Sequence, residues 1–186
     1  MNYPDDMTCI ERVLGGDTEA FAAVVDRYSP AVFSLIRRIC GNREDAEELT
    51  QDTFVKAFQN LGKFRRDSRF STWLYRIAYN TVVSHSRRRK GIFVIELREE
   101  GAKNHRDEAE PDGFDSGEFS REEQFLRLER ALEAISPEDR ALVALFYTED
   151  RPVREIAEIL SISEGNVKVK LHRTRKRLAD IYENIG

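Results

Sequence analysis

Apolar positions recur with a period near 3.6 through most of the chain, and no strand-rich region or internal repeat interrupts them. From Thr18 to Cys40, Phe21, Val24, Val25 and Tyr28, then Val32, Leu35, Ile36 and Ile39, keep helical spacing, with Pro30 expected to kink or divide the helix. Gly41-Asn42 ends it, and Asn42 is placed to cap a following helix that runs from Arg43 to about Leu61, where Gly62 stops it. A polar loop, Lys63 to Ser71, precedes another helix from about Thr72 to Arg89. "IFVIEL", Ile92 to Leu97, reads either as a short strand or as a point where the chain pins to a surface.

Beyond it the pattern changes. Glu96 to Ser120 holds Gly101, Pro111, Gly113 and Gly117 among acids, with Phe114 and Phe119 as its only aromatics, and reads as a mobile linker. Helical spacing returns at Ser120-Arg121-Glu122-Glu123, a capping box, followed by a stripe of Phe125, Leu128, Leu132 and Ile135. Ser136-Pro137 starts a second helix lined by Leu142, Leu145 and Phe146. Pro152 begins a third, with Val153, Ile156, Ala157 and Leu160 inward. Ser161-Ile162-Ser163 is a short turn before a fourth. The pattern predicts an all-α chain of two small helical domains, 1–92 and 121–186, joined by an acidic linker, 93–120.

Charge sharpens this division. The whole chain has 30 basic and 34 acidic residues, a net of −4, but the charges are segregated. The three segments carry net charges of +3, −6 and −1 in chain order. No apolar run approaches the roughly 18 residues of a spanning helix, so no membrane contact is expected. Met1 to Glu11 has acids and no basic n-region, unlike a signal peptide. The two cysteines, Cys9 and Cys40, have no CxxC or Cys/His partner; free thiols in a reducing cytoplasm are expected, and no metal or cofactor.

The last two helices and their turn have the layout of a helix-turn-helix. On the fourth helix Val167, Leu171, Thr174, Leu178 and Ile181 share one stripe. Val169, His172, Arg173 and Lys176 lie opposite, with Lys168 and Arg175 on one flank and Lys170 and Arg177 on the other. From Gly165 to Ala179 there are six cations and no acid, so the flanks suit phosphates and the centre suits base edges in a major groove. A solvated cationic face is the plainer alternative.

In the first block, "DAEELTQDTFVKAFQNLGKF" puts Ala46, Thr50, Phe54, Ala57, Phe58 and Leu61 on one side of a helix. Asp45, Glu48, Leu49, Asp52, Val55 and Lys56 lie on the other. An acidic face with exposed apolar residues suits a protein partner. "FSTWLYRIAYNTVVSHSRRRK" buries Phe70, Leu74, Ile77 and Thr81. It leaves Tyr75, Tyr79, Val82 and Val83 opposite, with Arg76 beside them and Trp73 and Asn80 near the edge. Aromatics interleaved with cations suit unstacked bases, although most such rings serve as core.

These two stretches and "REIAEILSISEGNVKVKLHRTRKRL", in this order and spacing, resemble the extracytoplasmic-function sigma factors of bacterial RNA polymerase over almost the whole chain. The resemblance implies a cytoplasmic initiation factor with no chemistry of its own. It implies core RNA polymerase, promoter DNA and an anti-sigma factor as partners. The acidic helix face would dock on the polymerase, and Lys168, Val169, Lys170, His172, Arg173, Arg175, Lys176 and Arg177 would read duplex −35 DNA. Melted −10 DNA would meet Phe64, Arg65, Arg66, Arg69, Ser71, Trp73, Arg76, Tyr79, Asn80, Arg87 and Arg88, with Arg89 and Lys90 near phosphates. Two rivals remain from the residues alone. An independent helix-turn-helix regulator would bind duplex DNA tightly without polymerase. A nuclease or recombinase would need a cluster of carboxylates or a Ser nucleophile with Arg partners. Glu44, Asp45, Glu47, Glu48 and Asp52 are the dense acids, and they read as a docking face; no G-x-x-x-x-G-K phosphate loop is present.

Overall fold

The structure, a computed structural model, describes residues 5–97 and 120–185, with backbone alone for 90–97. The described residues are helical and include no strand. Helix α1 (Asp6–Leu14) is followed by a 3-10 turn, Thr18–Ala20, then α2 (Phe21–Cys40) and α3 (Arg43–Gln59), with α4 (Phe70–Leu97) after the polar loop. The second half is α5 (Arg121–Ala134), α6 (Pro137–Val143), α7 (Val153–Leu160) and α8 (Glu164–Asn184).

Several helix ends form as the sequence dictates. Gly41 takes a left-handed conformation (φ 78°) that a side chain adopts at a steric cost, and its N–H donates to the Arg37 carbonyl, closing α2. Asn42 then accepts from the Asp45 N–H at 2.9 Å to start α3. Ser120 and Glu123 complete the capping box of α5 in both directions. Ser136 and Ser163 cap α6 and α8 through the Asp139 and Asn166 N–H groups.

Other ends differ from expectation. Pro30 does not divide α2, which continues through it; the residue is exposed, so the donor it lacks falls on the solvent side. "IFVIEL" is not a strand. Its backbone continues α4 to Leu97, because extending an existing helix needs no new nucleation. The expected boundary at residue 92 therefore falls inside a helix. Of the linker, 98–119 lies outside the described residues, and Ser120 belongs to the start of α5. Helix α1 was not anticipated. It buries Cys9, Ile10 and Val13, and Asp6 at its start accepts from Arg27 and, at 2.6 Å, from the Tyr28 hydroxyl. Burial, reinforced by Asp6, pushes the Tyr28 phenol well above its ordinary range.

In the first half, α2, α3 and α4 pack on one another, with α1 against α2. Val32, Leu35, Ile36 and Ile39 of α2 and Leu74 and Ala78 of α4 are completely buried there. In the second half, α5, α6 and α7 all lean on α8. The two halves also touch. Helix α6 packs on α2 and α4, and α7 packs on α4, so the buried residues of both form one continuous cluster. Only the C-terminal part of the α5 stripe is covered: Ile135 is buried, while Phe125 and Leu128 are 60% and 46% exposed, contrary to expectation. Arg127, in the same helix, donates to the Tyr182 carbonyl at 3.1 Å and so ties α5 to the end of α8.

Leu35→Ala removes a completely buried side chain from the three-helix core and should lower unfolding free energy by about 2–5 kcal/mol. Urea unfolding followed by circular dichroism measures this; a loss below about 1 kcal/mol would mean that the site collapses around the deletion.

Candidate nucleic-acid interface

The turn between α7 and α8 is closed by its own backbone. Ser161 sits in the left-handed region (φ 56°), and the Ile162 N–H donates to the Ala157 carbonyl at 3.0 Å. Val167, Leu171 and Thr174 are buried, which aims the opposite side of α8 outward. Lys168, Val169, His172, Arg173, Arg175 and Arg177 are exposed, and Lys170 and Lys176 are half-buried. Among the described residues no carboxylate pairs with any of the six cations. The face is thus positive and open, as its pattern predicts.

One contributor was missed. Between α6 and α7 the chain makes a π-helical turn, Ala144–Thr148. Tyr147 turns outward at 54% exposure, with its ring edge-on to Phe146 at 4.9 Å between centroids. The Arg175 guanidinium lies 5.3 Å from the Tyr147 ring and 5.7 Å from the Phe146 ring. Two rings therefore hold this cation in place without neutralising its charge. The adjacent aromatics were the available cue, since neighbours on a helix diverge by about 100° and both cannot enter one core.

In the first half, the loop 64–69 and the start of α4 bring three rings together. Phe64 lies 5.5 Å from both Phe70 and Trp73. Phe64, Arg65, Trp73 and Arg76 line an open cleft of about 510 Å³, lined also by Glu158 of α7 and by Ser161 in the turn after it. A nucleobase fits such a space between a ring and guanidinium groups. Trp73, expected at an edge, is buried by the neighbouring rings and reaches the cleft from within. Arg65, Arg76, Asn80 and Arg88 are exposed, and Ser71 is half-buried. Arg66 pairs with Glu11 at 3.0 Å.

The remaining expected contacts are engaged by the second half. Arg69 pairs with Glu155 of α7 at 3.5 Å, and Arg87 with Glu138 of α6 at 3.1 Å. Tyr79 is half-buried; burial, with Glu138 nearby, raises its phenol pKa. Tyr75, expected on an open side, is completely buried, as are Val82 and Val83. The Tyr75 hydroxyl donates to Glu149 Oε2 at 2.7 Å, and the Arg151 guanidinium covers its ring at 4.5 Å. Its pKa is pushed up to about 12, chiefly by burial, so the phenol remains a donor at neutral pH.

On α3, Glu48, Asp52, Val55 and Lys56 are exposed as expected, with Val55 at 53%. Asp45 is half-buried and paired with Arg89. Leu49 corrects the expectation: it is buried. Helix α3 touches both α2 and α4, so its inward stripe is wide enough to take Leu49 together with Ala46, Thr50, Thr53, Phe54 and Ala57. The two threonines are tolerated there because their hydroxyls donate to the Ala46 and Leu49 carbonyls at 2.6 and 2.7 Å. No cluster able to hold a metal and no helix long and apolar enough to cross a membrane occurs among the described residues.

Residues 24–92 match the family described as sigma-70 region 2, and residues 125–178 match sigma-70 region 4. The chain is 32% identical over 177 residues to the ECF RNA polymerase sigma factor SigW of Bacillus subtilis, covering 91% of this chain and 92% of that one. It is also 32% identical over 184 residues to the ECF RNA polymerase sigma-E factor of Escherichia coli, covering 93% and 92%. Among solved structures, the sigma factor RpoE in complex with the anti-sigma factor NepR from Bartonella quintana shares the fold. Its TM-score is 0.62 at 22% identity, over 89% of this chain and 98% of that one.

Replacing Tyr147 by Ala should cut duplex DNA affinity about two- to fivefold, the scale of an exposed cation–π contact. Arg175→Ala should cost at least as much, and the double variant little more than Arg175→Ala alone. Fluorescence anisotropy on a duplex measures all three; fully additive losses would separate the ring from the cation.

Proposed function

Because the chain belongs to the sigma-70 family of RNA polymerase sigma factors, in its extracytoplasmic-function group, we propose that its two halves divide promoter recognition between duplex and melted DNA. The protein is a non-enzymatic initiation factor that binds core RNA polymerase and directs it to particular promoters. The outward face of α8, free of acids from Gly165 to Ala179 and raised on a capped short turn, is the observation that carries the reading of duplex −35 DNA. Arg173 stands at the centre of that face and reads a base edge. Lys168, Lys170, Arg175, Lys176 and Arg177 meet phosphates, while Val169 and His172 pack in the groove.

The −10 element falls to the cleft and to α4. A flipped base enters between Phe64, Trp73 and Arg65, and the exposed Arg76 and Asn80 continue the track along the strand, with Ser71 and Tyr79 beside it. Arg66, Arg69, Arg87 and Arg88 take backbone phosphates. Unstacking costs a few kcal/mol per base, which stacking and charge neutralisation offset without nucleotide hydrolysis. Glu48, Asp52, Val55 and Lys56 form the polymerase-docking face, with Asp45 at its rim. The protein works in the cytoplasm beside the polymerase. An anti-sigma factor holds it inactive, a partner supported by the solved complex of the similar RpoE with NepR.

Transcription in vitro with core polymerase, with and without this chain, tests the reading; activity independent of the chain would overturn it. Arg173→Ala should reduce discrimination between −35 and scrambled duplexes by about 1–3 kcal/mol, whereas Arg177→Ala should weaken both about equally. Competitive binding separates the two. Asp52→Arg should abolish co-purification with core polymerase while changing stability by about 0.5 kcal/mol or less, because the side chain is exposed.

A further inference from the structure

Helix α1 lies ahead of the matched segment 24–92, yet it touches the loop that leads into α4 at two places. Glu11 Oε1 accepts from Arg66 Nη2 at 3.0 Å, across 55 positions of sequence. Leu14 packs on Gly62, in the 3-10 turn Leu61–Lys63 that opens the loop: a Cβ at Gly62 would lie 4.0 Å from Leu14 Cδ2. Glu11 and Leu14 are three residues apart and so share one side of α1. That side therefore spans both the start of the loop and its bend.

The bend is at Arg66. Its φ of 64° is left-handed, a conformation disfavoured for any residue with a Cβ, and no other non-glycine among the described residues of the first half adopts it. The chain bends over 66–68, so Phe64 before the bend meets Phe70 and Trp73 after it, at 5.5 Å from each ring. Phe64 and Arg65 reach the cleft only because the loop folds back in this way. A disfavoured backbone needs an outside hold, and the ion pair with Glu11 supplies one. Helix α1 is a firm support for it. Cys9 and Ile10 are buried, and Asp6 accepts from the Tyr28 hydroxyl of α2. The neighbouring Arg12 is engaged with Asp17 at 2.6 Å.

We propose that Glu11 is a positioning residue for the −10 loop: through Arg66 it holds the left-handed bend that sets Phe64 and Arg65 at the cleft. The proposal rests on the assignment of this loop and α4 to the −10 element. It also gives Arg66 a task besides a phosphate contact, and the two tasks respond oppositely to loss of Glu11. If Glu11 only competes with DNA for Arg66, its removal frees a cation and tightens single-strand binding. If Glu11 positions the loop, its removal weakens that binding.

The full-length chain tests this with Glu11→Ala, Glu11→Gln and the charge swap Glu11→Arg/Arg66→Glu. Alanine is the strongest helix former, so α1 is not weakened by the first, and circular dichroism checks all three. Trp73, the only tryptophan of the chain, reports the loop without any DNA, because Phe64 lies against it. Its acrylamide quenching should rise in Glu11→Ala, rise less in Glu11→Gln, whose amide oxygen still accepts, and return to the wild-type value in the swap. Both partners are exposed, so salt should move the wild-type quenching toward that of Glu11→Ala. Affinity is read with a labelled single-stranded DNA of mixed sequence, about 12 nucleotides long.

Glu11→Ala should weaken single-strand binding about two- to fivefold, the scale of an exposed ion pair, and leave duplex binding unchanged. In an Arg66→Gly background, where glycine adopts the bend freely, Glu11→Ala should change neither readout. Unchanged quenching, tighter single-strand binding or an undiminished effect in the Arg66→Gly background would each overturn the positioning role. So would a loosened Trp73 with unchanged single-strand affinity. Failure of the −10 assignment is read separately, from polymerase-dependent transcription. Its loss on Arg76→Ala and Asn80→Ala supports the assignment even if Glu11 proves idle, and full activity of both removes the assignment while the quenching still reports the hold of Glu11 on the loop.

Discussion

A phenol cannot be taken out of water without a partner for its hydroxyl, and Tyr75 is completely out of water. Its partner, Glu149, belongs to the other half of the molecule. This one requirement organises much of the rest. It fixes which side of α4 faces α7, and with it the position of Arg151 over the ring. Arg69, just before α4, and Arg87, farther along it, come within reach of Glu155 and Glu138. Removing the second half would leave the ring and its hydroxyl facing solvent, which a free α4 surface tolerates because tyrosine is amphipathic.

Much of the fold was legible because it rests on local rules. The caps at Asn42, Ser120, Ser136 and Ser163 and the left-handed stop at Gly41 are decided within a few residues of chain. The burial of Val167, Leu171 and Thr174 followed from helical spacing alone. Where tertiary packing overrides a local pattern, reading was poorer. Leu49 lies on the polar side of its helix by angle, yet two neighbouring helices enclose it. Phe125 and Leu128 have the spacing of core residues, but nothing among the described residues covers them. Ile92, Val94 and Ile95 are β-branched, yet the backbone there is helical, so helix propagation prevailed over that composition.

The proposed nucleic-acid surfaces divide in the same way. The α8 face was legible because one helix carries all six of its cations. The cleft at Phe64, Trp73 and Arg76 was legible in its residues but not in its shape, which depends on a loop and on α7 from the far half. Tyr147 was invisible to a 3.6-residue template because its outward turn comes from one widened π turn. The burial of Tyr75 lay beyond any sequence pattern, since it depends on how two separately patterned halves meet.

The open basic helix sits on a molecule whose net charge is −4. At distance, such a molecule and duplex DNA repel each other. The attraction of α8 for phosphates is felt only within about 8 Å, the Debye length at physiological salt. Non-specific DNA is the largest competitor for any DNA-binding protein in a cell, and its hold depends on how many cations a protein presents together. Here six cations stand together on α8 and the background charge opposes them. Non-specific DNA therefore holds this protein less firmly than the cations of α8 alone would, and its hold falls further as salt rises.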